Sequence, residues 1–190
     1  MQANHAPVKL WSQYFLIVLL TIFIHELGHC VVDWSLGIHA IPTPAKTYAL
    51  NSYPAYLEHK STVGGILATL IIAVAGLIIY YRNPSRFNTV LLAGTIAMPV
   101  VYSLLFTIKG RGHGDTEFQY AQEMLGFSFS GHALDWIFIA LICCAFSLWI
   151  LRSKPKLKAI IPVIFGIVLT FIFVVVLQEL NNFIFDPLFE

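Results

Sequence analysis

Long apolar runs separated by short polar ones dominate this chain. Five runs are of membrane-crossing length: residues 14–34, 62–81, 87–108, 133–151 and 159–177. About 20 residues rising 1.5 Å each give about 30 Å of helix, the thickness of a bilayer's hydrocarbon core. No water reaches backbone groups there, so each run must bond within itself, and a helix is the expected result. The predicted fold class is all-α: one polytopic membrane helix bundle of about five transmembrane helices, with no separate soluble domain.

The polar punctuation refines this. Trp11 and Tyr14 sit where the first run begins, and such residues favour the membrane interface. Residues 36–61 are polar and carry Pro42, Pro44 and Pro54. Short extended segments are expected at residues 38–41 and 47–50, limited in length by the prolines. Gly64, Gly65 and Ala68 open the second run and offer a flat surface for close helix packing. Pro99 lies inside the third run and predicts a kink with a freed carbonyl. Phe118, Ala121, Met124 and Leu125 recur at helical spacing and predict a short interfacial helix. Residues 178–190 form a mixed polar and aromatic tail, whose Gln178, Glu179, Asn181 and Asn182 are read as marking the interface.

Composition agrees with a membrane class. Of 190 residues, 58% are hydrophobic and 11% charged, and the mean hydropathy is +0.78. A formal net charge of +1 leaves no basic footprint for nucleic acid. The lipid bilayer is the first expected partner. Cys30, Cys143 and Cys144 lie in apolar runs without CxxC spacing and are expected to be small buried side chains. The first run is long enough to span and lacks a small-residue cleavage site, so it is expected to be retained. Seven basic residues fall on the N-terminal side of five spans and four on the other, which favours a cytoplasmic N-terminus.

Chemistry enters with His25-Glu26-Leu27-Gly28-His29, inside the first run. Histidines four apart on a helix share one face, a spacing that suits two imidazoles on one Zn²⁺ with Glu26 beside them. Ionisable groups in a membrane segment are costly and normally face the bundle interior to serve a function. A catalytic zinc site usually has three protein ligands and one open position. The third is sought in the glycine-rich residues 109–119, which follow the third run on the same membrane side as the motif. Asp115 ranks first there, His113 second and Glu117 third. Zinc would lower the pKa of a bound water to about 7, with Glu26 as the base. His39, His59 and His132 are read as interface residues near span ends.

The run HELGHCVVDWSLGI, the glycine-containing STVGGILAT and an aspartate after a third core span together resemble the site-2 protease family of intramembrane zinc metalloproteases. The resemblance covers roughly residues 14–118. It implies His25, His29 and Asp115 as zinc ligands, Glu26 as catalytic base, and a transmembrane protein as substrate. It also implies that residues 38–50 form extended segments that help hold that substrate. Here the aspartate stands in Gly-His-Gly-Asp-Thr rather than the family's Asn-Pro…Asp-Gly setting, which keeps His113 as an alternative ligand. The family usually places its active site nearer the cytosol, opposite to the charge count. The other reading is a non-proteolytic membrane protein with a structural or regulatory zinc site. A di-iron oxidase needs several histidine boxes, and only His25 and His29 form one.

Overall fold

The structure is a computed structural model and describes residues 6–54, 57, 59–109, 115–127, 132–155 and 160–189. In chain order the elements are α1 (Ala6–Ser35), β1 (Ala40–Pro42), β2 (Thr47–Ala49), α2 (Thr62–Arg82), α3 (Arg86–Thr95), α4 (Ala97–Lys109), α5 (Asp115–Met124), α6 (Ala133–Ser153) and α7 (Ile160–Phe189). Helices α1, α2, α6 and α7 are each long and apolar enough to cross a membrane, and α3–α4 is a fifth when taken as one bent span. The all-α bundle expected from the apolar runs is therefore present.

The third span bends by 43° between α3 and α4. The break falls at Ile96, one turn before Pro99 rather than at the proline. Pro99 has no N–H to give the Thr95 carbonyl, and its ring crowds that group. The interruption appears where the missing bond would have closed.

Helices α1 and α2 approach closely enough for backbone to meet backbone. A Cβ on Gly28 would lie 2.4 Å from the Gly64 carbonyl oxygen, and one on Gly64 would lie 2.1 Å from that of Gly28. Only glycine fits at this crossing, the small-residue packing expected of helices in lipid. Beside it, Val18, Ile22, Ile66, Tyr102 and Phe138 form a buried core joining α1, α2, α4 and α6, and Ala121 brings in α5. The outer surface is apolar too, with Leu16, Ile71, Leu151 and Phe183 exposed, as suits a bundle whose solvent is lipid. Cys30 is buried, but Cys143 and Cys144 are exposed, against expectation. In a helix with an apolar outer face, a small apolar thiol costs little there.

The extended segments exist as a hairpin. Strands β1 and β2 pair antiparallel, with Ala40 opposite Ala49, Ile41 opposite Tyr48 and Pro42 opposite Thr47. The Trp34 indole N–H donates to the Ala40 carbonyl at 2.9 Å and fixes the hairpin to the end of α1. The short helix after the third span is α5, and it begins at Asp115.

Residues 178–189 are not a separate tail. They continue α7, which runs for 30 residues. Asn181 is 3% exposed, so the polar cluster there does not simply mark the interface. Asn181 faces the hairpin, whose bonds satisfy it, while Gln178 and Glu179 are exposed. Between α1, α3, α4, α6 and α7 lies an apolar cavity of about 520 Å³, lined by residues such as Trp11, Tyr14, Ala93, Ala145 and Gly166. It flanks the N-terminal half of α1, about 16 Å along the helix from His25.

Candidate metal centre

His25 and His29 stand one turn apart on α1, and their Nε2 atoms face each other at 3.1 Å. Two imidazole nitrogens each about 2.0–2.1 Å from a tetrahedral zinc are about 3.3 Å apart. The pair is thus within a few tenths of an ångström of chelating geometry. The far side of each ring is held. His29 Nδ1 lies 2.8 Å from the Ser61 carbonyl, which can only accept, so Nδ1 carries the proton and Nε2 presents a lone pair. His25 Nδ1 lies 2.9 Å from the Thr69 hydroxyl. A hydroxyl can donate or accept, so Thr69 can serve either tautomer of His25. Such outer partners orient metal-binding imidazoles and raise their basicity.

Space for the two rings comes from Gly65. A Cβ there would lie 2.3 Å from His29 Nε2 and 2.8 Å from His25 Cε1. Glycine at this position lets α2 close directly against both rings, with His29 Nε2 the nearest ring nitrogen. Tyr102 of α4 closes another side, with its hydroxyl 3.4 Å from His25 Nε2. His25 is 3% exposed and Tyr102 fully buried.

Glu26 follows His25 by 100° around the helix and faces the hairpin instead. It is 9% exposed. The Thr47 hydroxyl, from β2, lies 3.1 Å from Glu26 Oε2 and 2.9 Å from the Glu26 carbonyl oxygen, and its single proton is shared between them. The Cys30 thiol donates to Thr47 Oγ1 at 3.8 Å, so Cys30 points away from the imidazoles, as its position on the helix predicts. One turn further on, Asp33 is fully buried and accepts from the Tyr53 hydroxyl at 2.7 Å. Burial first, and then the bond given to Asp33, push the Tyr53 phenol up to about 12.

Of the residues ranked for the third ligand, His113 lies outside the described residues. Asp115 and Glu117 are placed on α5 by backbone alone, Asp115 as its first residue. Helix α5 packs against α2, the helix that carries Gly65 and Thr69. His59 stacks on Tyr120 of α5, ring centroids 4.0 Å apart, so this histidine pins α5 to the start of α2. His132 Nδ1 lies 3.3 Å from Asp135 Oδ2. Among the described residues, no three His, Cys, Asp or Glu side chains converge as a metal-holding set.

Sequence reasoning found His25, Glu26 and His29 but not Thr47, Thr69 or Tyr102. A signal existed for Thr69, a hydroxyl in an otherwise apolar run, four residues after Gly65 and so on the same face. Thr47 lies 21 residues from Glu26, and no helical or strand period links them. Comparison of the chain with protein-family models, curated proteins and solved structures finds no match.

Proposed function

We propose that this chain is an integral membrane, multi-pass zinc metalloendopeptidase of the site-2 type, which hydrolyses peptide bonds of membrane-embedded or membrane-adjacent substrates. One observation carries the reading: the Nε2 atoms of His25 and His29 converge at 3.1 Å, with their Nδ1 atoms bonded to Ser61 and Thr69. Gly65 lets α2 close against both rings and hold them at that separation.

His25 and His29 would hold zinc, with Asp115 as third ligand and His113 the alternative. Bound zinc supplies a Lewis acid that activates water and polarises the scissile carbonyl. Glu26 takes the proton of the attacking water as its oxygen adds to the carbonyl carbon. The same carboxyl returns that proton to the amide nitrogen as the C–N bond breaks, leaving an amine and a carboxylic acid, whose remaining proton passes to the amine to give carboxylate and ammonium. Thr47 holds the Glu26 carboxylate, and the hairpin, in the place the family resemblance gives to substrate-binding strands, lies beside it. A transmembrane substrate hides its peptide bonds in helical hydrogen bonds, so a locally unwound segment is the substrate class that suits this site.

Zinc content of the detergent-purified chain tests the reading. About one zinc per chain is expected, lost in His29→Ala and Asp115→Ala and kept in His113→Ala. Hydrolysis of a labelled transmembrane peptide with a central helix-breaking pair should vanish in Glu26→Gln while zinc stays bound. Zinc without any hydrolysis by the wild type would favour the structural zinc site, and a folded wild type without zinc would sink both readings.

A further inference from the structure

The hairpin lies between α1 and α7, and alternation along β2 divides its side chains between them. Thr47 points to α1 and bonds Glu26. Tyr48, the next residue, points to α7. Its hydroxyl donates to Asp186 Oδ1 and accepts from Asn181 Nδ2 at 3.3 Å. Asn181 Oδ1 accepts from the Thr43 hydroxyl at 2.7 Å and from the Ala45 N–H at 3.3 Å. An N–H can only donate, so the Ala45 contact fixes the orientation of the Asn181 amide. Lys46 Nζ pairs with Asp186 at 3.0 Å. Thr43, Tyr48 and Asn181 are all under 5% exposed. One asparagine therefore grips the hairpin at three residues that bracket Thr47.

We infer that Asn181, supported by Asp186, is a positioning residue for Glu26: α7 sets the hairpin at the height from which Thr47 reaches the Glu26 carboxylate. The inference rests on the protease reading and deepens it. It makes the last turns of α7 part of the active-site support. Buried amides that meet hydrogen-bonding demand on one rigid loop are the usual means of holding a catalytic group to sub-ångström tolerance. The bonds described for Asn181 go to the hairpin residues Thr43, Ala45 and Tyr48, so its effect on Glu26 passes through Thr47.

The test compares Asn181→Leu, Thr47→Val and the double variant in the full-length, zinc-loaded chain, with the same labelled transmembrane peptide as probe. Asn181→Leu should lower kcat by about tenfold or more, with KM and zinc content unchanged. Asn181→Asp, which keeps the accepting oxygen, should recover part of the loss. The double variant should lose no more than Thr47→Val alone, because both act through one bond. Losses that multiply, or wild-type kcat in Asn181→Leu, would overturn the inference. A second arm needs no catalysis. In a chain with its three cysteines replaced by serine, Thr47→Cys should react with a maleimide several-fold faster once Asn181→Leu is added, and an unchanged rate would overturn the proposed placement. If the wild type cleaves nothing, the protease reading fails, and the labelling arm still decides whether α7 positions the hairpin.

Discussion

At the scale of single residues, the candidate site depends on a hydrogen atom where a methyl group would be. Gly65 leaves the space that both imidazoles need, and its Cβ would meet His29 Nε2 at 2.3 Å. The rings cannot yield easily, because Ser61 and Thr69 hold their far nitrogens. Gly65→Ala should therefore abolish zinc binding and hydrolysis while helix content by circular dichroism stays at the wild-type level. The hydroxyl of Thr69 makes a graded case. Thr69→Val leaves His25 Nδ1 without that partner and should weaken zinc about 10- to 100-fold, measured by competition with a chromophoric chelator. Thr69→Ser keeps the hydroxyl and should stay near wild type. The motif residues were legible because helical spacing alone puts His25 and His29 on one face. Their supports were less so: Thr69 carried only the signal of a hydroxyl in an apolar run, and Tyr102 reaches the site through helix packing that no local pattern encodes.

At the scale of elements, the loop after the hairpin is tied to α1 by the bond from Tyr53 to Asp33 as well as by that between His29 and the Ser61 carbonyl. The fold raises the phenol from 10.0 to about 12, so the folded chain holds this proton more tightly than the unfolded one. The bond's stabilisation is fully present below pH 10 and declines as pH rises from there through about 12. Other groups titrate in that range, so the useful quantity is a difference. The gap in melting temperature between wild type and Tyr53→Phe should be largest below pH 10 and close toward pH 12. A constant gap would show that the tyrosine contributes packing alone. Elements differed in how far the sequence disclosed them. The apolar runs located α2, α6 and the bent third span to within a few residues, because length and hydropathy are local properties, but α1 begins at Ala6, well before its run, and α7 continues to Phe189, well past its own. Pro99 announced the bend in the third span, though the break sits a turn earlier at Ile96. The end of α7 was hidden because Asn181 and Asp186 look like solvated polar residues until the hairpin supplies their partners.

At the scale of the whole molecule, chemistry and packing are concentrated at the α1–α2 crossing. There Gly28 and Gly64 bring the backbones into contact, and the histidines bond two points of the neighbouring segment. An ion held by His25, His29 and a residue preceding or opening α5 would join α1 to an element that packs on α2 and α6. It would act as a cross-link within the bundle as well as a catalyst. A ligand that binds only the folded state stabilises it by RT ln(1 + [L]/Kd), about 4 kcal/mol at a thousandfold excess over Kd. Removing zinc with a chelator should therefore lower the melting temperature of the detergent-solubilised chain, and adding zinc back should restore it. The control that gives this meaning is Gly65→Ala, which should melt at one temperature with or without chelator. Glu26→Gln should respond as the wild type does, because its change lies in the proton acceptor and leaves the ligands alone. A chelator shift that persisted in both His29→Ala and Gly65→Ala would place the stabilising ion elsewhere in the chain and detach the HELGH motif from metal binding.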